Sequence, residues 1–226
     1  MPVLAAFLRA INVGGTGKLP MKDLVALCEA AGLASVRTYI ASGNVVFATA
    51  LDAAEVEARL GRALLAYMGK PVGLALRTAE ELEAVLALNP FTAHDAKAVT
   101  ITFLPAAPAP NLLDTIVRPD GEELALGPRE VFVHYPAGMG TSTLKLPFAK
   151  HGTARNLGTV RAVLALVREV ETATPTTSKA TAKAKRPTAK TTTAKASAAK
   201  TPAKGTTAKV PRAAASTTTP RARRPR

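Results

Sequence analysis

The hydrophobic positions in the first third of the chain alternate between the spacing of strands and that of helices. Residues 3–9 form a short apolar run, which is typical of a buried strand. Pro20 suits the first turn of a helix, and Gly32 is placed to end that helix. Residues 35–48 contain two β-branched or aromatic runs around the turn formers 42–44, and they predict a hairpin.

A second helix and a fourth strand complete this pattern. Asp52 and Glu55 have the three-residue spacing of a capping box, and the apolar residues that follow recur along one side of a helix. Residues 72–77 predict a strand. The resulting order, β-α-β-β-α-β, is that of the split βαβ or ferredoxin-like arrangement. Such a sheet carries its helices on one face, so the other face needs a cover.

Residues 78–171 repeat this order less regularly. Thr78 begins a helix with a second capping box, and residues 98–104 predict a strand. A short helix is predicted at residues 111–118, and a hairpin is predicted across Gly127.

The end of this second half contains two more predicted elements. Residues 142–148 are the candidate for its fourth strand, which Pro147 would confine to a sheet edge. Thr153 is the predicted N-cap of a long amphipathic helix, with Arg155 and Asn156 in the first turn. The sequence therefore predicts an α+β fold made of two tandem ferredoxin-like halves.

Composition divides the chain into a neutral part and a basic tail. The 226 residues include 30 Lys and Arg against 16 Asp and Glu, a net charge of +14. Residues 172–226, the basic tail, contain 14 of these cations, recurrent prolines, and neither acidic nor aromatic residues. Such a composition builds neither a core nor a continuous helix, so we predict a disordered tail. The predicted domains are residues 1–77, 78–171 and 172–226.

The basic tail is predicted to bind nucleic acid independently of base sequence. DNA is the main expected partner. Lys and Arg neutralise backbone phosphates and release counterions. The tail has no aromatic residue to stack on unpaired bases, and no apolar face or lipidation signal for a membrane. A solubilising tail without a partner is the alternative. The tail cations are Lys179, Lys183, Lys185, Arg186, Lys190, Lys195, Lys200, Lys204, Lys209, Arg212, Arg221, Arg223, Arg224 and Arg226.

The remaining composition indicates a cytoplasmic protein, associated with the nucleoid if the tail binds DNA. No apolar run reaches the length of a membrane span, and the apolar N-terminus lacks the basic region of a signal peptide. Cys28 is the only cysteine, which excludes a disulfide framework within the chain. We expect Cys28 to be a small buried side chain and not a nucleophile.

The glycine-rich loop after the first strand raises the question of phosphate binding. A Walker A loop requires a glycine where this chain has Asn12 and a hydroxyl where it has Leu19, so a nucleoside triphosphatase is not predicted. A glycine-rich turn before a helix still presents backbone amides to an anion, although the glycines alternatively only permit a tight turn. Pairing of the first and third strands would bring this loop to the hairpin. The candidate ligand contacts are Asn12, Gly14, Gly15, Lys18, Ser42, Gly43 and Asn44.

A second candidate contact for an anion lies at the start of the last predicted helix. Arg155 and Asn156 would stand there beside exposed backbone amides, and an ordinary capped surface helix is the alternative. His94, His134 and His151 lack the spacing of metal ligands, so no metal is predicted. The sequence contains no cofactor motif and no catalytic triad, so we predict no cofactor and assign no catalytic residue.

Three blocks of the sequence resemble one family. LRAINVGGTGKLPMKDL, VRTYIASGNVVF and, downstream, GTSTLKLPFAKHGTARNLGTV are similar to the uncharacterised family DUF1697 over about residues 3–168. The resemblance implies a tandem α+β fold of two ferredoxin-like halves and no established activity. Where the family has Arg-Asn-Trp-Asn, this chain has Arg-Asn-Leu-Gly at residues 155–158. The positions that fit the family are Arg9, Asn12, Gly14, Gly15, Lys18, Met21, Tyr39, Ser42, Gly43, Asn44, Arg155, Asn156 and Thr159.

Two functions of different kinds follow from these patterns. The first is a non-enzymatic module that is tethered to nucleic acid by its basic tail, which resembles the tails of linker histones. The second is an enzyme or small-ligand binder with an anion site at loop 12–18 and hairpin 42–44, where the tail serves only for localisation. The sequence does not predict the oligomeric state.

Overall fold

The first half of the protein forms a four-stranded antiparallel sheet with two helices on one face. A computed structural model of the chain describes residues 1–13 and 18–173. The elements of the first half are β1 (Val3–Leu8), α1 (Met21–Ala30), β2 (Ala34–Tyr39), β3 (Asn44–Ala48), α2 (Ala53–Met68) and β4 (Leu74–Arg77). The strands lie in the order β2-β3-β1-β4, so β1 pairs with both β3 and β4.

The second half repeats the strand order with different connections. Its elements are α3 (Ala79–Leu88), β5 (Val99–Phe103), β6 (Glu123–Leu126), β7 (Glu130–His134), a 3₁₀ helix (Pro147–Lys150), β8 (Thr153–Asn156) and α4 (Leu157–Ala173). These strands form a second antiparallel sheet in the order β6-β7-β5-β8. The protein therefore has an α+β fold with two four-stranded sheets.

Local signals in the sequence placed most of the elements from β1 to α3 correctly. Asp52 and Thr78 each accept a hydrogen bond from the backbone N–H three residues on, and the glutamate there bonds back, which confirms both capping boxes. Gly32 follows the end of α1 with a φ of +86°, as a helix-ending glycine requires. The hairpin between β2 and β3 is also confirmed.

The second half differs from the prediction in three places. Residues 111–115 form turns and residues 116–118 are irregular, so no helix is present there, and residues 142–146 form no strand. The fourth strand is Thr153–Asn156, residues that the sequence pattern assigns to the last helix. Because these four residues pair with β5, Thr153 is not an N-cap, and α4 begins only at Leu157. The Asn156 side chain caps that helix instead, since its Oδ1 accepts from the backbone N–H of Thr159 at 2.7 Å.

The two sheets share one hydrophobic core, which covers the face of the first sheet that α1 and α2 leave open. The rings of Phe7 on β1 and Phe103 on β5 are stacked at its centre, with centroids 4.6 Å apart. α4 follows the second sheet but packs on β1 and β3 of the first, so it holds the halves together. Buried members of the core include Val3, Ala5, Val46, Ala48, Val99, Ile101, Phe132, Val160, Val163 and Val167.

Two groups of predictions lie outside the described residues. They are the conformation of the glycine-rich residues 14–17 and the disorder of the basic tail from residue 174 onward. Among the helices that are described, none combines the length and the apolar character that crossing a membrane requires.

Candidate functional site

Asn12 joins the end of β1 to the β2–β3 hairpin. Its Nδ2 donates to the backbone oxygens of Leu19, at 2.9 Å, and Ala41, at 2.8 Å, and its Oδ1 accepts from the Leu19 N–H at 2.8 Å. The residue has a φ of +58°, which is left-handed backbone that asparagine tolerates better than most residues. One side chain thus fixes both ends of the 13–18 segment and places them against the hairpin.

The antiparallel pairing of β1 with β3 brings loop and hairpin together. Phe7 lies opposite Asn44, so the end of β1 runs past the start of β3. Lys18 is exposed at this rim. The predicted contacts Gly14 and Gly15 lie outside the described residues.

Gly43 and Asn44 have structural roles at the turn of the hairpin. Gly43 has a φ of +78°, and a Cβ at this position would come within 3.0 Å of the Leu8 side chain. Asn44 is completely buried, and its Nδ2 donates to the Tyr39 backbone oxygen at 2.9 Å and to Ser42 Oγ at 3.0 Å. The Ser42 hydroxyl is therefore more accessible to a ligand at this rim than the Asn44 amide.

Arg155 reaches the same rim from the second sheet, and its guanidinium points into the protein. Its Nε donates to Asn44 Oδ1, and its Nη2 donates to the backbone oxygens of Leu8, at 2.7 Å, and Ser42, at 2.9 Å. The Nη1 group donates to Thr153 Oγ1 and to the Ala154 backbone oxygen, both at 2.8 Å. All five N–H groups have protein acceptors, so an anion could bind Arg155 only by replacing these contacts.

The charge on Arg155 is balanced by dipoles. The residue is only 9% exposed, and no carboxylate among the described residues forms an ion pair with it. Burial lowers the pKa of Arg155 to about 10, so the guanidinium remains protonated near neutral pH. Carbonyl dipoles and the Phe7 ring, whose centroid lies 5.7 Å from the guanidinium carbon, surround it. Asn156, by contrast, is exposed, and its side chain caps α4.

A second buried arginine has the equivalent position in the first half. Arg77 at the end of β4 donates from Nη2 to Glu130 Oε1 at 2.7 Å, and both side chains are 3% exposed. Arg77 also lies over the Phe103 ring, with 5.2 Å from its guanidinium carbon to the ring centroid. The sequence-based predictions do not include this pair, although an arginine that ends an otherwise apolar strand is a signal for a buried partner.

Two adjoining clefts lie along β4, where it faces the segment after β5. Their volumes are about 310 and 230 Å³, and both are lined by Glu57, Leu74, Ala75 and Pro105. Arg9 lines the smaller cleft. The volume of the larger cleft is at the lower end of the range for small-molecule sites. No local sequence pattern predicts the cleft, because its walls come from segments that are distant in the chain.

Two of the three histidines, which are far apart in the sequence, lie together in the structure. The rings of His94 and His134 are stacked with centroids 3.7 Å apart, and Glu123 bonds to His134. Within the described part of the chain, these three residues are the group whose side chains could hold a metal ion. His151 is exposed elsewhere, beside the smaller cleft.

Comparison with solved structures supports the fold. The conserved bacterial protein SP0830 from Streptococcus pneumoniae has a similar structure, with a TM-score of 0.64 and 24% sequence identity. The similarity covers 74% of this chain and 99% of that protein. A search of curated proteins found no match.

Comparison with family models identifies a family for this chain. Residues 1–132 match the family described as "Protein of unknown function (DUF1697)", which includes the loop and hairpin blocks. The matched region ends before Arg155 and therefore leaves out the third block of the resemblance. Because the match spans more than half of the chain, the protein belongs to the DUF1697 family.

Proposed function

We propose that the protein is a non-enzymatic module that associates with nucleic acid through its basic tail. The observation that carries this proposal is the separation of charge. The tail has 14 cations and no anion, whereas residues 1–171 have equal numbers of each. Affinity would come from phosphate contacts and counterion release, and it would not depend on base sequence. Binding to DNA would associate the protein with the nucleoid.

The structure indicates where a tail-less variant should end. α4 extends to Ala173 and carries the buried residues Val163, Val167 and Val170 of the shared core. A chain that ends at Ala173 keeps this helix and removes all 14 tail cations. A second variant with the tail residues in permuted order keeps the charge and composition.

Binding to a labelled DNA duplex of about 30 base pairs, measured against salt, tests the proposal. The full chain and the permuted-tail variant should bind with similar affinity, and the variant ending at Ala173 should not bind. If about eight cations contact phosphate, the slope of log affinity against log salt is near −7. Retained binding by the variant that ends at Ala173 would refute the proposal. Loss of binding in the permuted-tail variant would show that binding requires a particular order of tail residues, which would contradict binding through phosphate contacts alone.

We further infer that both halves are ferredoxin-like. In each sheet the first strand of the half lies between the third and the fourth, and the first half has the full order β-α-β-β-α-β. In the second half, irregular segments take the place of the two helices. They cover the outer face of the sheet with Leu112, Leu113, Ile116, Leu144 and Leu146.

A small-anion site at loop 12–18 and hairpin 42–44 is the second candidate function, in which the tail serves for localisation. The observation that favours it is Asn12, which fixes both ends of a glycine-rich segment beside the exposed Lys18. Left-handed backbone at Asn12 and Ile40 lies on both sides of this rim, and strained backbone concentrates at binding sites.

Melting temperature in the presence of phosphorylated and carboxylated compounds tests this candidate. A ligand of the rim should raise the melting temperature of the full chain saturably, and Lys18→Ala should abolish the rise. Lys22→Ala is the matched control, because Lys22 is exposed in the first turn of α1. A screen without any saturable rise, or equal loss in both variants, would count against the site.

A further inference from the structure

The open end of the β6–β7 hairpin joins a carboxylate to a buried imidazole. Glu123 and His134 lie directly opposite each other in the strand register. Glu123 Oε1 lies 2.8 Å from His134 Nδ1. His134 is 7% exposed, and Glu123 extends into solvent. The hydrogen bond fixes the ring orientation of His134.

His94 completes a three-residue cluster from another part of the fold. It lies in the segment between α3 and β5, and its ring stacks on His134 with an interplanar angle of 23°. One potential ligand atom from each of His94, Glu123 and His134 lies within 4.8 Å of the other two. Phe91 packs against both imidazoles, with ring centroids 6.3 Å from His94 and 5.9 Å from His134.

We propose that His94, Glu123 and His134 form a binding site for a divalent transition-metal ion, with zinc as the best-matched ion. This inference is independent of nucleic-acid binding by the tail. Two neutral imidazoles and one carboxylate are ligands that zinc binds tetrahedrally, with a fourth position left for water. Magnesium and calcium prefer oxygen ligands and would gain little from the two histidines.

The bond lengths of zinc show how far the cluster must close. With metal–ligand distances of about 2.0–2.2 Å, tetrahedral ligand atoms lie roughly 3.4 Å apart. The cluster therefore has to contract at its widest separation, and the stacked His94 ring has to turn a nitrogen toward the point that it shares with His134 and Glu123. His94 and Glu123 are exposed and can reorient, while the buried His134 remains the fixed ligand.

The rest of the chain offers little competition for such an ion. The basic tail contains no histidine, cysteine, aspartate or glutamate. Cys28 is buried, and burial raises the pKa of its thiol to about 12, so the metal-binding thiolate is not formed near neutral pH. Specific binding to the full chain should therefore have a stoichiometry of one.

The proposal is tested by calorimetric titration with zinc. The full-length protein is purified for this titration without a histidine tag. Wild-type protein should bind one ion saturably. His94→Ala and Glu123→Gln, which alter exposed side chains, should each weaken binding at least about tenfold, and His151→Ala should bind like wild type. Cobalt provides a second measurement, because ligand-field absorption in the visible range reports a tetrahedral nitrogen and oxygen site.

The outcomes separate the proposed site from general surface binding. Absence of saturable binding would overturn the proposal, as would a His94→Ala variant that binds zinc as tightly as wild type. Equal weakening in His151→Ala would assign the binding to scattered histidines and would also overturn it. Because His94 and Glu123 are exposed, circular dichroism of their variants should match wild type, so that weakened binding reports the ligands and not unfolding.

Discussion

Arg155 of β8 donates its Nε hydrogen to the side chain of Asn44 at the start of β3, and so links the second sheet to the first. The same guanidinium satisfies backbone oxygens of Leu8 and Ser42, which lie where β1 ends and β3 is about to begin. It also lies over the Phe7 ring. One arginine therefore provides the donors for a strand end and a turn that belong to the other half.

Arg77 makes the reciprocal link from the first sheet to the second. It reaches Glu130, the first residue of β7, and lies over Phe103, as Arg155 reaches Asn44 and lies over Phe7. The strand register is the same in both halves. The pairs are Phe7 with Asn44, Ala5 with Arg77, Phe103 with Glu130, and Ile101 with Arg155. The halves are thus joined by two related contacts, one with a counter-charge and one without.

Replacement of Arg155 by methionine should lower the free energy of unfolding by about 3 kcal/mol or more. Methionine keeps most of the apolar length but leaves acceptors such as Asn44 Oδ1 and Ser42 O without the donors that Arg155 provides, at roughly 1–3 kcal/mol each. Urea denaturation measures the change. Arg161→Met on the exposed side of α4 is the control and should stay within about 0.5 kcal/mol of wild type. An equal effect of both substitutions would contradict the role of Arg155.

The Arg77–Glu130 pair should show strong coupling in a double-mutant cycle. Arg77→Met alone leaves a buried carboxylate without its cation, which costs about 3–5 kcal/mol. The double variant Arg77→Met/Glu130→Leu should lose much less than the sum of the single changes, because no unpaired charge remains.

The exposed pair Arg59–Glu55 is the matched control for this cycle. Its side chains are 45% and 50% exposed, so its coupling should not exceed about 0.5 kcal/mol. Additive losses for Arg77 and Glu130 would mean that the buried ion pair contributes no more than this surface pair.

Asn12 should tolerate glycine better than alanine. Both substitutions remove the three hydrogen bonds to Leu19 and Ala41, but alanine also has to hold a φ of +58°. Left-handed backbone costs a residue with a Cβ about 1 kcal/mol, so Asn12→Ala should be less stable than Asn12→Gly by that amount. Urea denaturation of the two variants measures the difference. Greater stability of the alanine variant would mean that the left-handed conformation is absent in solution.

Cys28 should be unreactive toward thiol reagents in the native protein at pH 8. Burial, and to a lesser degree the Glu29 carboxylate, raises the pKa of its thiol to about 12, and the thiolate is the reactive form. Labelling should therefore follow the unfolding transition when urea is increased. Complete labelling within minutes in native buffer would contradict this burial.

The elements that could be predicted from sequence are those with local causes. The capping boxes at Asp52 and Thr78 use residues three positions apart, and the turn at Gly43 needs a residue that tolerates positive φ. β8 depends on a partner that is distant in the chain. Residues 153–156 extend because they pair with β5, and a sequence pattern alone does not distinguish this short strand from the first turn of α4.

Apolar spacing also indicated a helix that the structure lacks. Leu112, Leu113 and Ile116 have helical spacing, yet they pack on the second sheet from a segment of turns. The candidate site shows the same limit. Asn12 and the hairpin meet through the predicted pairing of β1 with β3. The acceptors of Arg155 in the first half, Asn44, Leu8 and Ser42, lie more than 100 positions away, and no local pattern indicates them.

Replacement of Ile40 should stabilise the protein. Ile40 stands in the β2–β3 hairpin with a φ of +48°, a conformation that a β-branched residue adopts only with strain. The side chain is 52% exposed, so its removal sacrifices little buried surface. Ile40→Gly and Ile40→Asn should each raise the free energy of unfolding by roughly 0.5–1 kcal/mol, because both residues accept left-handed backbone. The neighbouring Ala41 is not in this region, so Ala41→Gly should give no gain and instead a small loss from unfolded-state entropy. Equal losses at both positions in urea denaturation would show that the strain at Ile40 is absent.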